Sequence, residues 1–260
     1  MKVIFCSNKR WGGARNLAKL IGVLYPRKEN AASAKPDVVV NWGSPPSIPW
    51  SAKTKVFNKA ENIKAAVSKL SSLTKLKELG VPCLEFGTDA SVLRAKHPES
   101  ILVARTLTSS TGGKGIVIIR PEDVVVPAPL YTVYARKRAE YRVHVVGDET
   151  FIQQKKKKLS QPPEMTADQQ LIRSHDNGWT FVVNNITATD AERAQLIALG
   201  KQAVKALGLD FGAVDIVQRR TSGKFLVCEV NTAPGISGDS TLGFYKQAMP
   251  KLYSATQASV

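Results

Sequence analysis

Long apolar runs are missing from this 260-residue chain. No stretch approaches the roughly 18 residues that cross a bilayer, which excludes a helical membrane span. The opening Met1-Lys2-Val3-Ile4-Phe5-Cys6-Ser7 holds fewer apolar residues than the roughly 7–15 of a signal-peptide core, so a cytoplasmic protein is expected. Cysteine is scarce: Cys6, Cys83 and Cys228 are odd in number and form no Cys-x-x-Cys pair. A disulfide framework is excluded, and reduced, buried thiols are expected. His97, His144 and His175 are scattered and lack zinc-ligand spacing, so any metal must use oxygen ligands. Trp11, Trp42, Trp50 and Trp179 form no stacking ladder for single strands. Trp42 reads as a core or cleft residue, and Trp179 is left open as a substrate-side aromatic. Acid is in short supply: 21 Asp+Glu face 37 Lys+Arg, a formal net charge of +16. Such a charge attracts nucleic acid, polyanionic small molecules or acidic peptides, or serves solubility; alone it selects none of them.

What is present is an ordinary globular balance, 43% hydrophobic and 22% charged. That is enough to bury a core in one large or two small domains. Residues 2–6 read as a buried strand, 14–24 as a helix and 37–42 as a second strand, a small parallel α/β unit. Asn58 is expected to cap a helix running to Leu79, stopped by Gly80 with Pro82 beyond. Hairpin-rich sequence follows. Strands are expected at 101–104, 116–119, 130–134, 141–146, 151–153, 213–217 and 225–230, and an amphipathic helix over 189–207. The fold class is α+β, with a short N-terminal α/β part over residues 1–60.

The strongest chemical constellation is Asp215 with Glu229 and Asn231, in Glu229-Val230-Asn231-Thr232-Ala233-Pro234-Gly235. Two carboxylates and an amide oxygen are hard donors that suit magnesium. Glu229 and Asn231 are two apart on a strand, so they share a face. A three-residue loop Thr221-Ser222-Gly223 would pair Arg220 with Lys224 and bring Asp215 opposite Glu229, with Gly223 in the left-handed position. Apolar flanks (Val214, Ile216, Val227, Val230) are wrong for a solvated edge. Next comes Ser109-Ser110-Thr111-Gly112-Gly113-Lys114-Gly115 between two strands. Its glycines let the backbone approach a phosphate, and Lys114 adds charge. It is not the Walker pattern, and a plain flexible hairpin explains it equally well on its own. Arg105 ends the strand before that loop, and Glu140, Arg142 and His144 share one strand face. In the run Lys155 to Lys158, Lys155 and Lys157 face one way, Lys156 and Lys158 the other.

Taken in order, these elements resemble the ATP-grasp superfamily of carboxylate–amine ligases, and within it the RimK-like glutamate ligases. The resemblance covers residues 60–245 and rests on Asp215 followed by Glu229-x-Asn231-x-x-Pro234-Gly235. It implies a nucleotide bound between two α+β subdomains: a small one over 61–135 with a lid loop at 106–115, and a large one over 136–260 holding the metal site. It implies ATP and magnesium as cofactors, with manganese as the substitute ion. Asp215, Glu229 and Asn231 would be the metal ligands. Lys69 resembles the first nucleotide-binding lysine. Arg105 stands where the family usually has a second lysine, a departure. Ser109, Thr111, Gly112, Gly113, Lys114 and Gly115 resemble the lid. Val133, Tyr134 and Ala135 match the hinge beside adenine, and Glu140 matches the ribose acid. Arg142, Lys156 and Arg173 match basic positions near the reacting groups. The short N-terminal part resembles compact bacteriophage-encoded members, which would act in a host cytoplasm.

The implied reaction transfers the γ-phosphoryl group of ATP to a carboxylate. An amine then attacks the acyl phosphate, giving an amide, ADP and phosphate. The partners implied are a carboxylate and an amine, the latter an amino acid or an acidic peptide or protein, and no membrane. Two other readings stand beside it: an ATP-grasp-type kinase that phosphorylates a hydroxyl, and a non-catalytic basic protein that binds nucleic acid or belongs to a virion.

Overall fold

The computed structural model describes residues 1–9, 11–43, 45–107, 115–158 and 165–254, with the backbone alone at Lys28. Three sheets organise them. The first is parallel and orders β1 (Val3–Cys6), β2 (Val38–Asn41) and β3 (Lys55–Phe57) side by side. Helix α1 (Gly12–Leu20) crosses from β1, and α2 (Lys28–Ala31) with a 3₁₀ turn at Ala32–Ala34 leads into β2. All residues of β1 and β2 are buried, as expected of parallel strands covered on both faces. Strand β3 escaped the sequence reading because its Lys55-Val56-Phe57 is too short for a period to show.

The helix expected from Asn58 to Leu79 is two helices, α3 (Ala60–Val67) and α4 (Lys69–Glu78). Ser68 breaks them with an extended backbone, and its hydroxyl accepts the Ser71 amide, so it caps α4. Asn58 caps neither helix. It is fully buried, accepts the Asp210 and Phe211 amides and donates to the Phe211 carbonyl. It thereby joins the end of the first sheet to the start of an inner strand of another.

The second sheet is antiparallel, in the order β4-β7-β5-β6. It comprises β4 (Phe86–Gly87), β5 (Leu102–Arg105), β6 (Ile116–Ile119) and β7 (Leu130–Val133), with α5 (Ala90–Lys96) on one side. The third is antiparallel, in the order β10-β9-β8-β11-β12. Its strands are β8 (Lys137–Val146), β9 (Glu149–Lys157), β10 (Trp179–Val182), β11 (Phe211–Arg219) and β12 (Phe225–Asn231). The short α6 (Ala167–Leu171) precedes β10. Helix α7 (Asp190–Ala206) opens on a capping box between Thr189 and Glu192 and covers one face of this sheet through Leu196, Ala203 and Val204.

The hydrophobic clusters join distant stretches of the chain. Ile63, Ala66 and Leu76 of α3 and α4 pack with α7 against the third sheet. The last helix, α8 (Asp239–Ser254), sends Tyr245, Ala248, Met249 and Tyr253 into the core of the first sheet, where Trp42 stacks on Phe5 and Phe211. Trp42 is thus a core residue. No helix among the described residues is long and apolar enough to cross a membrane.

Candidate nucleotide and metal site

A cavity of about 450 Å³ lies between the second and third sheets. Val103, Ile116, Ile118 and Val133 supply an apolar wall from the second sheet, with Leu84 and Val217 beside them. The third sheet supplies charge. Glu140 and Arg142 of β8, Lys155 of β9, Asp215 of β11 and Glu229 of β12 all reach the same space. Among the described lining residues, six cations (Lys69, Arg105, Lys137, Arg142, Lys155, Arg173) face three carboxylates (Glu140, Asp215, Glu229). Such a surplus of positive charge in a recess focuses potential that favours a polyanion.

Asp215 does stand opposite Glu229, but by a different route from the one expected. Arg219, not Arg220, closes the hairpin: its amide donates to Lys224 O at 2.9 Å, and the Gly223 amide returns to Arg219 O at 3.0 Å. The loop therefore holds four residues, with Gly223 at φ +67°. On that register Asp215 would meet Cys228. A bulge intervenes: Ile216 pairs with Val227 and Asp215 with Glu229, leaving Cys228 as the extra residue. Leu226 and Cys228 face the cavity side before the bulge, and Glu229 does so after it. Burial pushes the Cys228 thiol up to about 12, so it is a filler rather than a nucleophile.

Each carboxylate has a cationic partner. Arg142 Nε and Nη2 donate to the two oxygens of Asp215 at 2.7 and 2.8 Å. Burial opposes both charges, yet the guanidinium holds the Asp215 carboxyl below its ordinary value, and the carboxylate holds Arg142 firmly charged. Lys69, at the first turn of α4, lies 3.3 Å from Glu229. Glu140 accepts from Lys155, and Lys137 lies 3.5 Å from its other oxygen.

Of the residues singled out by sequence, Lys69, Arg105, Val133, Tyr134, Ala135, Glu140, Arg142, Arg173, Asp215 and Glu229 converge on the cavity. Asn231 shares the face of Glu229, opposite Ala213, two pairs beyond the Asp215–Glu229 pair of the cavity wall. Gly115, at φ +71°, closes the base of the 106–115 loop by accepting the Thr106 amide at 2.9 Å. Ser109, Thr111, Gly112, Gly113 and Lys114 lie outside the described residues. Lys156 is not brought to the cavity. It shares no face with Lys155, and its ammonium donates to Asn185 O. Lys155 reaches the cavity instead, and the sequence held the signal. Counting back from the Gly147-Asp148 turn, whose flanking pair is Val146 and Glu149, sets Lys155 against Glu140. His144 shares that strand face but is buried beyond the cavity, bonded to Tyr245 and Gln153.

Against known proteins, this arrangement of sheets has clear counterparts. It aligns with the ATP-grasp ligase PsnB bound to a minimal precursor at a TM-score of 0.66, with 14% identity over 100% of this chain and 99% of that one. It aligns with carboxyaminoimidazole ribonucleotide synthase from Aspergillus clavatus, complexed with ATP, at a TM-score of 0.64, with 14% identity over 96% of this chain and 77% of that one. The chain has the ATP-grasp fold. In sequence, it is 27% identical over 195 residues to a probable alpha-L-glutamate ligase of Haemophilus influenzae. That alignment takes in 69% of this chain and 59% of the relative, so the chain spans less than two thirds of that protein's length. No known family profile matches. A form of PsnB solved with its precursor, magnesium and ADP shares the ATP-grasp fold at a TM-score of 0.61.

Within this fold, the donors Asp215, Glu229 and Asn231 are of the chemistry that suits a magnesium ion. Asp215 and Glu229 stand opposite each other, Asn231 shares the face of Glu229, and its buried amide nitrogen has no hydrogen-bond partner. No cluster of three His, Cys, Asp or Glu side chains able to hold a metal occurs among the described residues. A cation here would therefore lean on phosphate oxygens and water as well, which is magnesium's habit.

Proposed function

We propose that the protein is an ATP-dependent ligase that activates a carboxylate as an acyl phosphate and joins it to an amine, releasing ADP and phosphate. One observation carries this reading: the bulge-aligned carboxylates Asp215 and Glu229 sit within a ring of six cations, in a cavity whose other wall is apolar. That polarity matches a nucleotide, with an aromatic base at one end and phosphates at the other. Asp215, Glu229 and Asn231 would hold magnesium, or manganese in its place. When bound, the ion would neutralise the β- and γ-phosphate oxygens and orient the transfer. Lys69, Arg105 and Lys155 would offset the remaining phosphate charge. Arg142 would fix the Asp215 carboxylate and add its own charge beside it. Arg173, half-buried and 4.5 Å over the Trp179 ring, would steady negative charge on the reacting carboxylate.

Glu140, gripped by lysines, would face the ribose. Val133 to Ala135 would meet the base. The Val133 and Tyr134 amides are committed to the Glu85 and Ile101 carbonyls at 2.9 and 2.8 Å, so the base edge would be read by Ala135 or by carbonyl oxygens. The cationic surplus favours an acidic amino acid or an acidic peptide as a substrate. The relative named for glutamate supports an acidic amino acid, and PsnB, bound to a minimal precursor, supports a peptide as a substrate of this fold.

The test is phosphate release from magnesium-ATP with mixed amino acids, followed by mass spectrometry. Free phosphate with an amide conjugate is expected. A stable phosphorylated product would replace this reading with a kinase.

A further inference from the structure

Strand β10 carries Trp179 and Phe181 two residues apart, so both rings leave one face, and both line the cavity. Phe181 lies directly opposite Lys155 in the ladder. The Arg142 guanidinium carbon is 4.1 Å from the centre of the Phe181 ring, and the Lys155 ammonium is 4.9 Å from it. A cation within about 6 Å of an aromatic face is attracted by the ring quadrupole. Phe181 also belongs to none of the hydrophobic clusters formed by the described residues. Core filling therefore does not account for it.

The two cations on this ring grip different carboxylates: Arg142 holds Asp215 and Lys155 holds Glu140. One apolar ring thus touches both cationic arms of the cavity. We propose that Phe181 is a positioning residue, whose ring holds Arg142 and Lys155 with their charged heads aimed into the nucleotide cavity. This rests on the nucleotide reading given above. Two like charges brought close repel each other, and long side chains resist being ordered. A ring face that attracts both offsets the repulsion and orders them before a ligand arrives, which lowers the cost of binding.

The test compares magnesium-ADP affinity by calorimetry and ATP kinetics for the wild type, Phe181→Leu, Phe181→Tyr and Lys155→Met, with Phe181→Leu also made in the Lys155→Met background. Phe181→Leu should weaken magnesium-ADP binding about tenfold and raise the KM for ATP in step. Phe181→Tyr, which keeps the aromatic face, should stay within about twofold of the wild type. The penalty of Phe181→Leu should shrink when Lys155 is already Met, as coupling through that side chain requires. Should the Leu variant fail to fold, Phe181→Met is measured instead, with the same expectation. A Leu or Met variant that binds magnesium-ADP like the wild type overturns the proposal. So does a penalty that is unchanged in the Lys155→Met background and not rescued by Tyr. A wild-type protein that takes up no magnesium-ADP overturns the nucleotide reading itself, and the proposal with it.

Discussion

Asp215 and Glu229 face each other across a ladder that changes register between them and their own turn. Had the register set at the turn run on, Glu229 would pair with Val214 and point into the core beneath α7. The extra residue, Cys228, returns it to the cavity.

The partners of these two carboxylates predict separable effects. Glu229 is a third exposed and touches Lys69 at the cavity rim. Glu229→Gln should change stability by no more than about 1 kcal/mol, while lowering magnesium-ATP turnover about a hundredfold or more. Asp215→Asn leaves the Arg142 guanidinium buried without its counter-charge. It should cost about 3–5 kcal/mol of stability as well as activity. Urea unfolding beside phosphate release measures both.

The two neighbouring lysines give a second comparison. Lys155 reaches Glu140 inside the cavity, and Lys156 reaches Asn185 O outside it. Lys155→Met should raise the KM for ATP far more than Lys156→Met does. The reverse order would restore the assignment that the resemblance suggested.

Stability should fall on mild acidification because of His144. Burial, first of all, lowers its pKa from 6.5 to about 4. Between those values the unfolded chain binds a proton that the folded chain refuses, so stability rises with pH. The contribution is complete above pH 6.5 and drains away as pH falls toward 4, by about 3 kcal/mol at most. Urea midpoints from pH 7 to 4 should show this slope, and His144→Gln should flatten it.

Arg120, directly after β6, pairs with Asp168 of α6 and so ties the second sheet to the segment that brings Arg173 to the cavity. The pair is half-exposed, so solvent screens it and its effect is small. Arg120→Asp should speed nucleotide dissociation at most about fivefold. The swapped pair Arg120→Asp with Asp168→Arg should recover it in stopped-flow displacement.

Much of the fold could be read from periodicity and punctuation. The parallel start showed in apolar strands flanking a spaced helix, and α7 showed in its Thr189 cap and Gly208 stop. The facing carboxylates were legible too, although the loop length used to reach them was one short. The bulge at Cys228 leaves no mark in hydropathy, because Val227, Cys228 and Val230 are all apolar. Serine favours a cap over a helix interior, yet the break at Ser68 was hidden because Ser71 and Ser72 stand inside α4 itself. Phe181 stayed hidden because its strand, Trp179-Thr180-Phe181-Val182, is too short for a period to show. Only the coordinates reveal two cations on its ring.

The packing of α8 into the first sheet has a consequence in time. That sheet begins at Val3, yet its core is unfinished without Tyr245, Ala248, Met249 and Tyr253. During synthesis the earliest strands must therefore wait, partly uncovered, until nearly 250 further residues have been made.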